Sequence, residues 1–259
     1  MPFRETGSVR YFFFDSLDHP ALRHAILSRQ GGVSPPPWHS LNVGGTVGDE
    51  RHRVAENRRR SFEALGLELS TMHDAWQVHS STVVAVRSPR GESPLQQADI
   101  LITDVPGVSL FMRFADCVPI LLFDPVHRAI GLVHAGWLGT VGKAARVAVQ
   151  AMQERYGTSA ERLLAAIGPS IGADHYPVRD DVIRELRRAF GASSARYLTT
   201  LDGTVRFDLW AANQDLLQEA GVRSIETAKL CTACDPECWY SHRGEGGKTG
   251  RFGALIALG

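Results

Sequence analysis

Three short apolar segments follow one another with no helical segment between them, and this run constrains the fold more than any other feature. The segments lie at residues 108–111, 118–123 and 129–133. They are rich in β-branched and aromatic residues and are bounded by turn residues, a pattern that predicts strands. Asp124-Pro125 separates the last two segments as in a hairpin. Strands joined so directly pair antiparallel, so we predict a sheet that is antiparallel or mixed rather than wholly parallel.

The other predicted elements alternate between strand and helix along the chain. Strand-like segments also occur at residues 11–14, 25–27, 82–86, 100–103, 163–167 and 224–228. Helical periodicity occurs at residues 50–65, 138–156, 180–190 and 209–220. Gly66 and Gly157 follow the first two helices, and Asp208 precedes the last as a candidate N-cap. Interleaved strands and helices predict a layered α/β domain. Polar segments near 87–97 and 192–203 are too short to force a boundary, so we predict one domain over residues 1–259.

The charge balance and the absence of long apolar runs exclude several classes of protein. Lys plus Arg and Asp plus Glu number 28 each, so no positive field attracts nucleic acid. No apolar run approaches the ~20 residues of a membrane-spanning helix, and the first residues do not resemble a signal peptide. We expect a cytoplasmic protein with no nucleic-acid or membrane partner. Its four cysteines are then reduced and available for metal binding or catalysis.

His79, Cys117 and His134 are the candidate metal ligands, and each lies next to the end of a predicted strand. One thiolate and two imidazoles suit Zn²⁺ with an open fourth position, which is the arrangement of a catalytic site. Each residue alone also has an ordinary interpretation as a small core cysteine or a hydrogen-bonded histidine. Their spacing matches no local metal motif, so the residues themselves leave their convergence open.

The neighbours of these three residues favour a site. Asp116 is expected to orient a ligand imidazole, because carboxylates commonly hydrogen-bond metal-bound histidines. Gly136 allows close approach of the backbone, and Trp137 offers a flat apolar wall for a ring such as a purine.

The remaining cysteines, Cys231, Cys234 and Cys238, suggest a second metal site. Cys-x-x-Cys spacing is typical of structural zinc sites, and such a site would need His242 or another residue as its fourth ligand. Buried or loop thiols without a metal are the simpler interpretation.

Short ordered motifs along nearly the whole chain resemble those of one bacterial family. They include Ser28-Arg29-Gln30-Gly31-Gly32-Val33-Ser34, Gln77-Val78-His79, Ala98-Asp99, Ala115-Asp116-Cys117-Val118-Pro119, His134-Ala135-Gly136-Trp137, Ile167-Gly168-Pro169-Ser170-Ile171-Gly172 and Lys248-Thr249-Gly250-Arg251. On these motifs the chain resembles the bacterial polyphenol oxidases, also called multicopper polyphenol oxidoreductases or laccase domain-containing proteins. Members of this family are also described as zinc-dependent purine nucleoside phosphorylases with adenosine deaminase activity.

The resemblance implies a fold, a cofactor and a reaction. The implied fold is a single-domain layered α/β/β/α sandwich with mixed sheets. The implied metal ligands are His79, Cys117 and His134, holding Zn²⁺, with Cu²⁺ as the other metal considered. The implied substrates are adenosine, inosine, guanosine or methylthioadenosine, which react with phosphate to give the base and ribose 1-phosphate. Adenosine is also deaminated.

Four residues are candidates for further roles in such a reaction. Asp116 is a candidate proton donor to the leaving ammonia. Arg29 is a candidate phosphate ligand, and Arg243 is a second candidate for substrate binding. Asn42 is a candidate hydrogen-bonding partner of the sugar or base. Arg29 equally fits a solvated loop arginine, and Asn42 fits a turn residue beside Gly44.

Three positions depart from the family pattern: Leu138 replaces Arg, His242 replaces Tyr and Ala166 replaces Cys. The change at Leu138 removes a cation near the proposed site. If that cation helps to hold phosphate, either phosphorolysis is weaker in this chain or phosphate binding depends on Arg29, Arg243 or Arg251 instead.

Three other functions remain open from the residues. Imidazole and thiolate also accept copper, but a multicopper oxidase needs many histidines and no His-x-His pair occurs here. A Cys–His hydrolase would use Cys117 as nucleophile and His134 as base without a metal. A non-enzymatic, metal-dependent partner or sensor protein would turn over neither nucleosides nor phenols.

Overall fold

The computed structural model describes residues 3–259, which form two six-stranded sheets, a two-stranded hairpin and five α-helices. The strands are β1 (Phe3–Thr6), β2 (Val9–Phe12), β3 (Leu22–Leu27), β4 (Met72–Asp74), β5 (Val83–Ala85), β6 (Ile100–Thr103), β7 (Ser109–Phe114), β8 (Val118–Asp124), β9 (Ala129–Ala135), β10 (Leu164–Ile167), β11 (Leu198–Leu201), β12 (Thr204–Phe207), β13 (Ser224–Thr227) and β14 (Phe252–Leu258). The helices are α1 (Arg51–Glu63), α2 (Trp137–Val141), α3 (Ala144–Tyr156), α4 (Asp180–Phe190) and α5 (Leu209–Glu219). No helix of this part of the chain is both long and apolar enough to cross a membrane.

Both large sheets are mixed, as the sequence predicts. The first sheet has the strand order β1-β2-β3-β14-β7-β4, and the second has the order β13-β10-β8-β9-β6-β5. In the first sheet β4 pairs parallel with β7, whereas β14 pairs antiparallel with both of its neighbours. In the second sheet β5 and β6 are parallel, and β8 and β9 form the predicted antiparallel hairpin.

Three hydrophobic cores stack these elements in four layers. Helices α2 to α5 cover one face of the second sheet, the two sheets pack face to face, and α1 covers the outer face of the first sheet. Alternation of side chains along a strand explains why the second sheet contributes to two cores. In β8, Val118, Ile120 and Leu122 face the helices. Leu121 and Phe123 of the same strand face the first sheet. The predicted α/β/β/α sandwich is thus confirmed.

The helix predicted at residues 138–156 is interrupted. Helix α2 ends at Val141, and α3 begins at Ala144 after Lys143, whose φ is +58°. A left-handed residue cannot continue a right-handed helix, so the chain changes direction there. Two predicted helix ends agree with the structure. Gly157 takes a left-handed φ of +72° after α3, and the Asp208 side chain accepts a hydrogen bond from Ala211 N at the start of α5.

The chain changes sheet between β7 and β8, so the three consecutive predicted strands do not lie in one sheet. Cys117 lies in the crossing segment, directly before β8. Within the second sheet Pro119 pairs with His134, and Ile100 pairs with Val133. Cys117, His134 and the residues before β6 therefore meet at one end of the second sheet.

Candidate metal site and adjoining cleft

His79, Cys117 and His134 converge at this end of the second sheet. One ligand atom of each residue, a ring nitrogen or Sγ, lies within 4.8 Å of those of the other two. The ring centroids of His79 and His134 are 5.0 Å apart, with the ring planes inclined by 65°. His134 is buried, Cys117 is half-buried and His79 is exposed, so the group opens to solvent on the side of His79.

Asp99 holds this group in place. Its Oδ1 lies 2.8 Å from Nδ1 of His134, which directs Nε2 of that ring towards a metal. Asp99 also accepts hydrogen bonds from the backbone amides of Val78, His79 and Ser80 and from the Ser80 hydroxyl. Burial alone would raise the pKa of Asp99, but the hydrogen bonds from His134 and Ser80 lower it to about 2. The orienting carboxylate is therefore Asp99, which corrects the expectation that Asp116 contacts the imidazole.

The backbone around the group is tightly constrained. His79 has a φ of +61°, a left-handed conformation that is uncommon for a residue with a side chain. The amide contacts to Asp99 hold it there. A Cβ atom on Gly136 would lie 2.8 Å from Sγ of Cys117 and 3.2 Å from Cδ2 of His79. Only glycine leaves room for these two side chains, which is the close approach expected from the sequence.

The carboxylate of Asp116 binds a loop from a distant part of the chain. Its Oδ1 accepts hydrogen bonds from the hydroxyls of Thr232 and Ser241, both at 2.7 Å. Its Oδ2 accepts the backbone N–H of Arg243 at 2.6 Å. Asp116 itself has a φ of +83°. These three contacts favour a positioning role for Asp116.

A cleft of about 230 Å³ opens beside the metal-ligand candidates. Its lining comprises His79, Asp116, Cys117, Gly136, Trp137, Leu138, Ile171, Tyr176 and Leu209. Trp137 lies in this lining as predicted, and so does Leu138, the position at which the family commonly has Arg. Trp137 and Tyr176 also line a second cleft of about 470 Å³, so the two clefts adjoin.

Tyr176 is a wall of both clefts that the sequence did not indicate. Burial, followed by the negative charge of Cys117, raises the pKa of the Tyr176 phenol above its ordinary value. The phenol is therefore a neutral hydrogen-bond donor near pH 7. No local motif marks Tyr176, because it follows a loop that reaches the cleft only in the folded chain.

Arg243 is a cation in the lining of the second cleft. Its guanidinium lies 5.2 Å from the centroid of the Tyr176 ring, and Nη1 donates to the carbonyl of Pro177 at 2.9 Å. Arg179 and Asp181 line the same cleft, so its charges are mixed.

Arg251 is a further cation near Cys117. Burial lowers its pKa, and the negative charges of Cys117 and Asp116 act in the opposite direction. Its Nη1 donates to the carbonyls of Thr249 and Gly250.

Arg29 connects loops of the protein to one another. Its Nε donates to the carbonyl of His39, and Nη1 lies within hydrogen-bond distance of the carbonyls of Pro236 and Trp239. Nη1 also forms an ion pair with Glu245 at 3.1 Å. Phosphate binding by Arg29 stays a prediction that these contacts do not favour.

Asn42 is fully buried, and its side chain is satisfied within the protein. Its Nδ2 donates to Asp49, and its Oδ1 accepts the backbone amides of Gly44 and Arg251. These contacts fit the turn interpretation, and a contact of Asn42 with sugar or base stays a prediction.

The second group of potential ligands differs from the expected one. His175, Cys231 and Cys234 each place a ligand atom within 4.8 Å of the other two. Cys238 is instead buried in the core between the two sheets, and His242 is exposed outside this group.

The first group fits a single divalent cation. The engaged Nδ1 of His134 and the space left at Gly136 both favour an ion between Cys117 and the two rings. A thiolate and two imidazoles suit zinc, and they also accept copper. Neither potential metal group within residues 3–259 contains more than two histidines.

Known proteins resemble this chain over most of its length. It is 38% identical to a purine nucleoside phosphorylase of Deinococcus radiodurans over 239 residues, which cover 92% of this chain and 90% of the relative. It is 34% identical to purine nucleoside phosphorylase YlmD of Bacillus subtilis, with 89% and 86% of the two chains covered. The crystal structure of YlmD from Geobacillus stearothermophilus superposes with a TM-score of 0.92 at 34% identity, covering 99% of this chain and 98% of that one.

The family model described as multi-copper polyphenol oxidoreductase laccase matches residues 23–259. This match covers the metal-ligand candidates, the cleft and most strands of both sheets. The chain therefore belongs to the multi-copper polyphenol oxidoreductase laccase family.

Proposed function

We propose that this protein is a zinc-dependent purine nucleoside phosphorylase that also deaminates adenosine. The observation that carries the proposal is the convergence of His79, Cys117 and His134 beside a cleft that Trp137 and Tyr176 also line. The relatives from Deinococcus radiodurans and Bacillus subtilis, both named purine nucleoside phosphorylases, support it.

His79, Cys117 and His134 would hold the ion, with Asp99 fixing the tautomer of His134. When bound, zinc lowers the pKa of a coordinated water from about 16 towards about 7 and polarises ligand oxygen or nitrogen atoms. Trp137 and Tyr176 would bind the flat faces of the purine. The neutral phenol of Tyr176 would donate a hydrogen bond to the substrate.

Phosphate would bind at the junction of the two clefts, beside the guanidinium of Arg243. Arg243 is available because it makes one hydrogen bond with Nη1 and is otherwise exposed. Planar guanidinium groups bind phosphate in a bidentate manner. Asp116 would position this arginine through the backbone amide of Arg243. Proton donation by Asp116 to the leaving ammonia stays a prediction.

The test combines elemental analysis of the purified protein with a nucleoside assay in the presence and absence of phosphate. Cys117→Ala is expected to lose one zinc ion per chain relative to the wild type, together with turnover of adenosine and inosine. Cys238→Ala is the matched control, because Cys238 is a free, buried cysteine outside the group. Unchanged zinc content in Cys117→Ala, or equal loss in Cys238→Ala, would contradict the assigned site.

The hydrogen bond between Asp99 and His134 also fits a metal-free Cys–His–Asp arrangement with Cys117 as nucleophile. That mechanism requires a thiolate that alkylates rapidly in metal-free protein. Loss of turnover on chelation and its recovery with Zn²⁺ would exclude it.

Copper-dependent phenol oxidation is the alternative named by the family description. Zinc does not change oxidation state, so phenol turnover should require copper loading. A metal-dependent sensor role would be favoured if neither metal form turned over nucleosides or phenols.

A further inference from the structure

We propose that His175, Cys231 and Cys234 bind a second Zn²⁺ ion, which fastens the loop of His175 to the loop of the two cysteines. This site is separate from the group around Cys117 and does not depend on the reaction proposed above. All four cysteines of the chain are free thiols, so both sulfur ligands are available.

The distances match those around zinc. Nδ1 of His175 lies 3.5 Å from Sγ of Cys234 and 3.8 Å from Sγ of Cys231. Zn–S bonds of ~2.3 Å and Zn–N bonds of ~2.0 Å at tetrahedral angles separate sulfur and nitrogen by about 3.5 Å. The three side chains are therefore spaced as if around one ion.

Nδ1 of His175 lies within reach of more groups than one hydrogen bond can serve. Nδ1 of His175 has two thiol neighbours and a third neighbour, Oδ2 of Asp174, at 3.1 Å. A ring nitrogen can accept or donate only one hydrogen bond, so it cannot serve all three groups. A cation that replaces the thiol protons satisfies both sulfurs and the nitrogen together.

The surroundings of Cys231 and Asp174 also support a bound cation. The backbone N–H of Gly172 donates to Sγ of Cys231 at 3.2 Å, a contact that suits a thiolate. Two thiolates and one imidazole are soft ligands that favour zinc over magnesium or calcium. The fourth position can be filled by water because His175 and Cys234 are exposed, or by the carboxylate of Asp174, whose Oδ2 lies 3.1 Å from Nδ1 of His175.

The two loops that this ion would join both support the substrate cleft. His175 directly precedes Tyr176, a wall of the cleft. Cys231 directly precedes Thr232, whose hydroxyl donates to Asp116 beside Cys117. A zinc ion here would therefore hold the cleft wall and the partner of Asp116 at a fixed separation.

The test measures zinc in the Cys117→Ala protein, where the first site is removed. After loading with Zn²⁺ under reducing conditions and desalting, this protein should retain one zinc ion per chain. Adding Cys234→Ser or His175→Gln should remove that ion, whereas adding Cys238→Ser should leave it. Equal zinc content with and without Cys234→Ser would overturn the proposal.

A second measurement uses wild-type protein and so does not depend on the folding of variants. Cys234 is exposed, so its alkylation by iodoacetamide can be followed by mass spectrometry. Zn²⁺ should protect Cys234 and Mg²⁺ should not. Equal alkylation in both metals, or a Cys231–Cys234 disulfide that persists in zinc-loaded, reduced protein, would refute the site.

Discussion

Replacing Asp99 by asparagine should weaken metal binding at the first site without removing any proposed ligand. Asp99 accepts hydrogen bonds from three consecutive backbone amides, from the Ser80 hydroxyl and from the ring of His134. Asparagine has nearly the same shape, but it replaces one of the two accepting oxygens with an NH₂ donor. That donor would face either His134 or the amide of Ser80.

The expected loss of metal affinity follows from these contacts. If the NH₂ group faces His134, it donates to Nδ1, which must then be unprotonated. The ring proton moves to Nε2, the nitrogen that would bind the metal. If the NH₂ group faces Ser80, two backbone donors lose their acceptor and the loop carrying His79 is released. Loss of such a supporting carboxylate typically lowers metal affinity by about 10- to 100-fold. This corresponds to about 1.4–2.7 kcal/mol of binding free energy.

Asp124→Asn is the matched control. Asp124 is a buried carboxylate that accepts the amides of Val126 and His127 and lies 2.8 Å from Nδ1 of His127. It supports a turn and no potential metal group among the described residues. Both variants should lower the free energy of unfolding in urea, but only Asp99→Asn should raise the zinc dissociation constant in a chelator competition assay. Wild-type zinc affinity in Asp99→Asn, or equal weakening in both variants, would refute the argument.

Three further predictions concern His24, Gly136 and Leu138. Burial, then Arg4, lowers the pKa of His24 from 6.5 to about 4. Folding therefore favours the neutral ring, and stability falls as the pH drops from 6.5 towards 4. The free energy of unfolding in urea should be compared between the wild type and His24→Gln. The difference in favour of the wild type should shrink by about 2 kcal/mol between about pH 8 and about pH 5. A difference that does not change with pH would contradict the assigned cause. Gly136→Ala should abolish zinc binding at the first site in a chelator assay, whereas Gly45→Ala, with only a distant arginine atom near its Cβ, should bind normally. Leu138→Arg adds a cation to the cleft and should lower the KM for phosphate about tenfold, the value of one charge-assisted hydrogen bond; an unchanged KM would place phosphate elsewhere.

The sequence predicts the centre of the second sheet well because β8 and β9 are buried on both faces. β8 and β9 contain only buried residues, so each appears as a continuous apolar run between turn residues. Among the strands that were missed, β14 is equally buried but contains small residues. A Cβ on Gly253 would lie 2.6 Å from Cε2 of Phe111, so this position requires glycine even though glycine is rare in strands. Packing between distant strands therefore overrides local propensity there.

The sequence also indicated the three residues of the first group, because His79, Cys117 and His134 are types that bind metals. It could not indicate the partner of His134. Asp99 reaches that ring only because β6 pairs with β9 in one register. His175 was missed in the second group for a similar reason, since it lies far along the chain from Cys231 and Cys234.

The position of β14 affects how the protein can fold during synthesis. β14 follows every other strand in the chain, yet it lies between β3 and β7 near the centre of the first sheet. While the ribosome makes the preceding residues, β3 and β7 each present an unpaired edge that can attract other chains. The second sheet, whose strands end at Thr227, can assemble before that point. Insertion of this one apolar strand thus joins two parts of the first sheet that were made earlier.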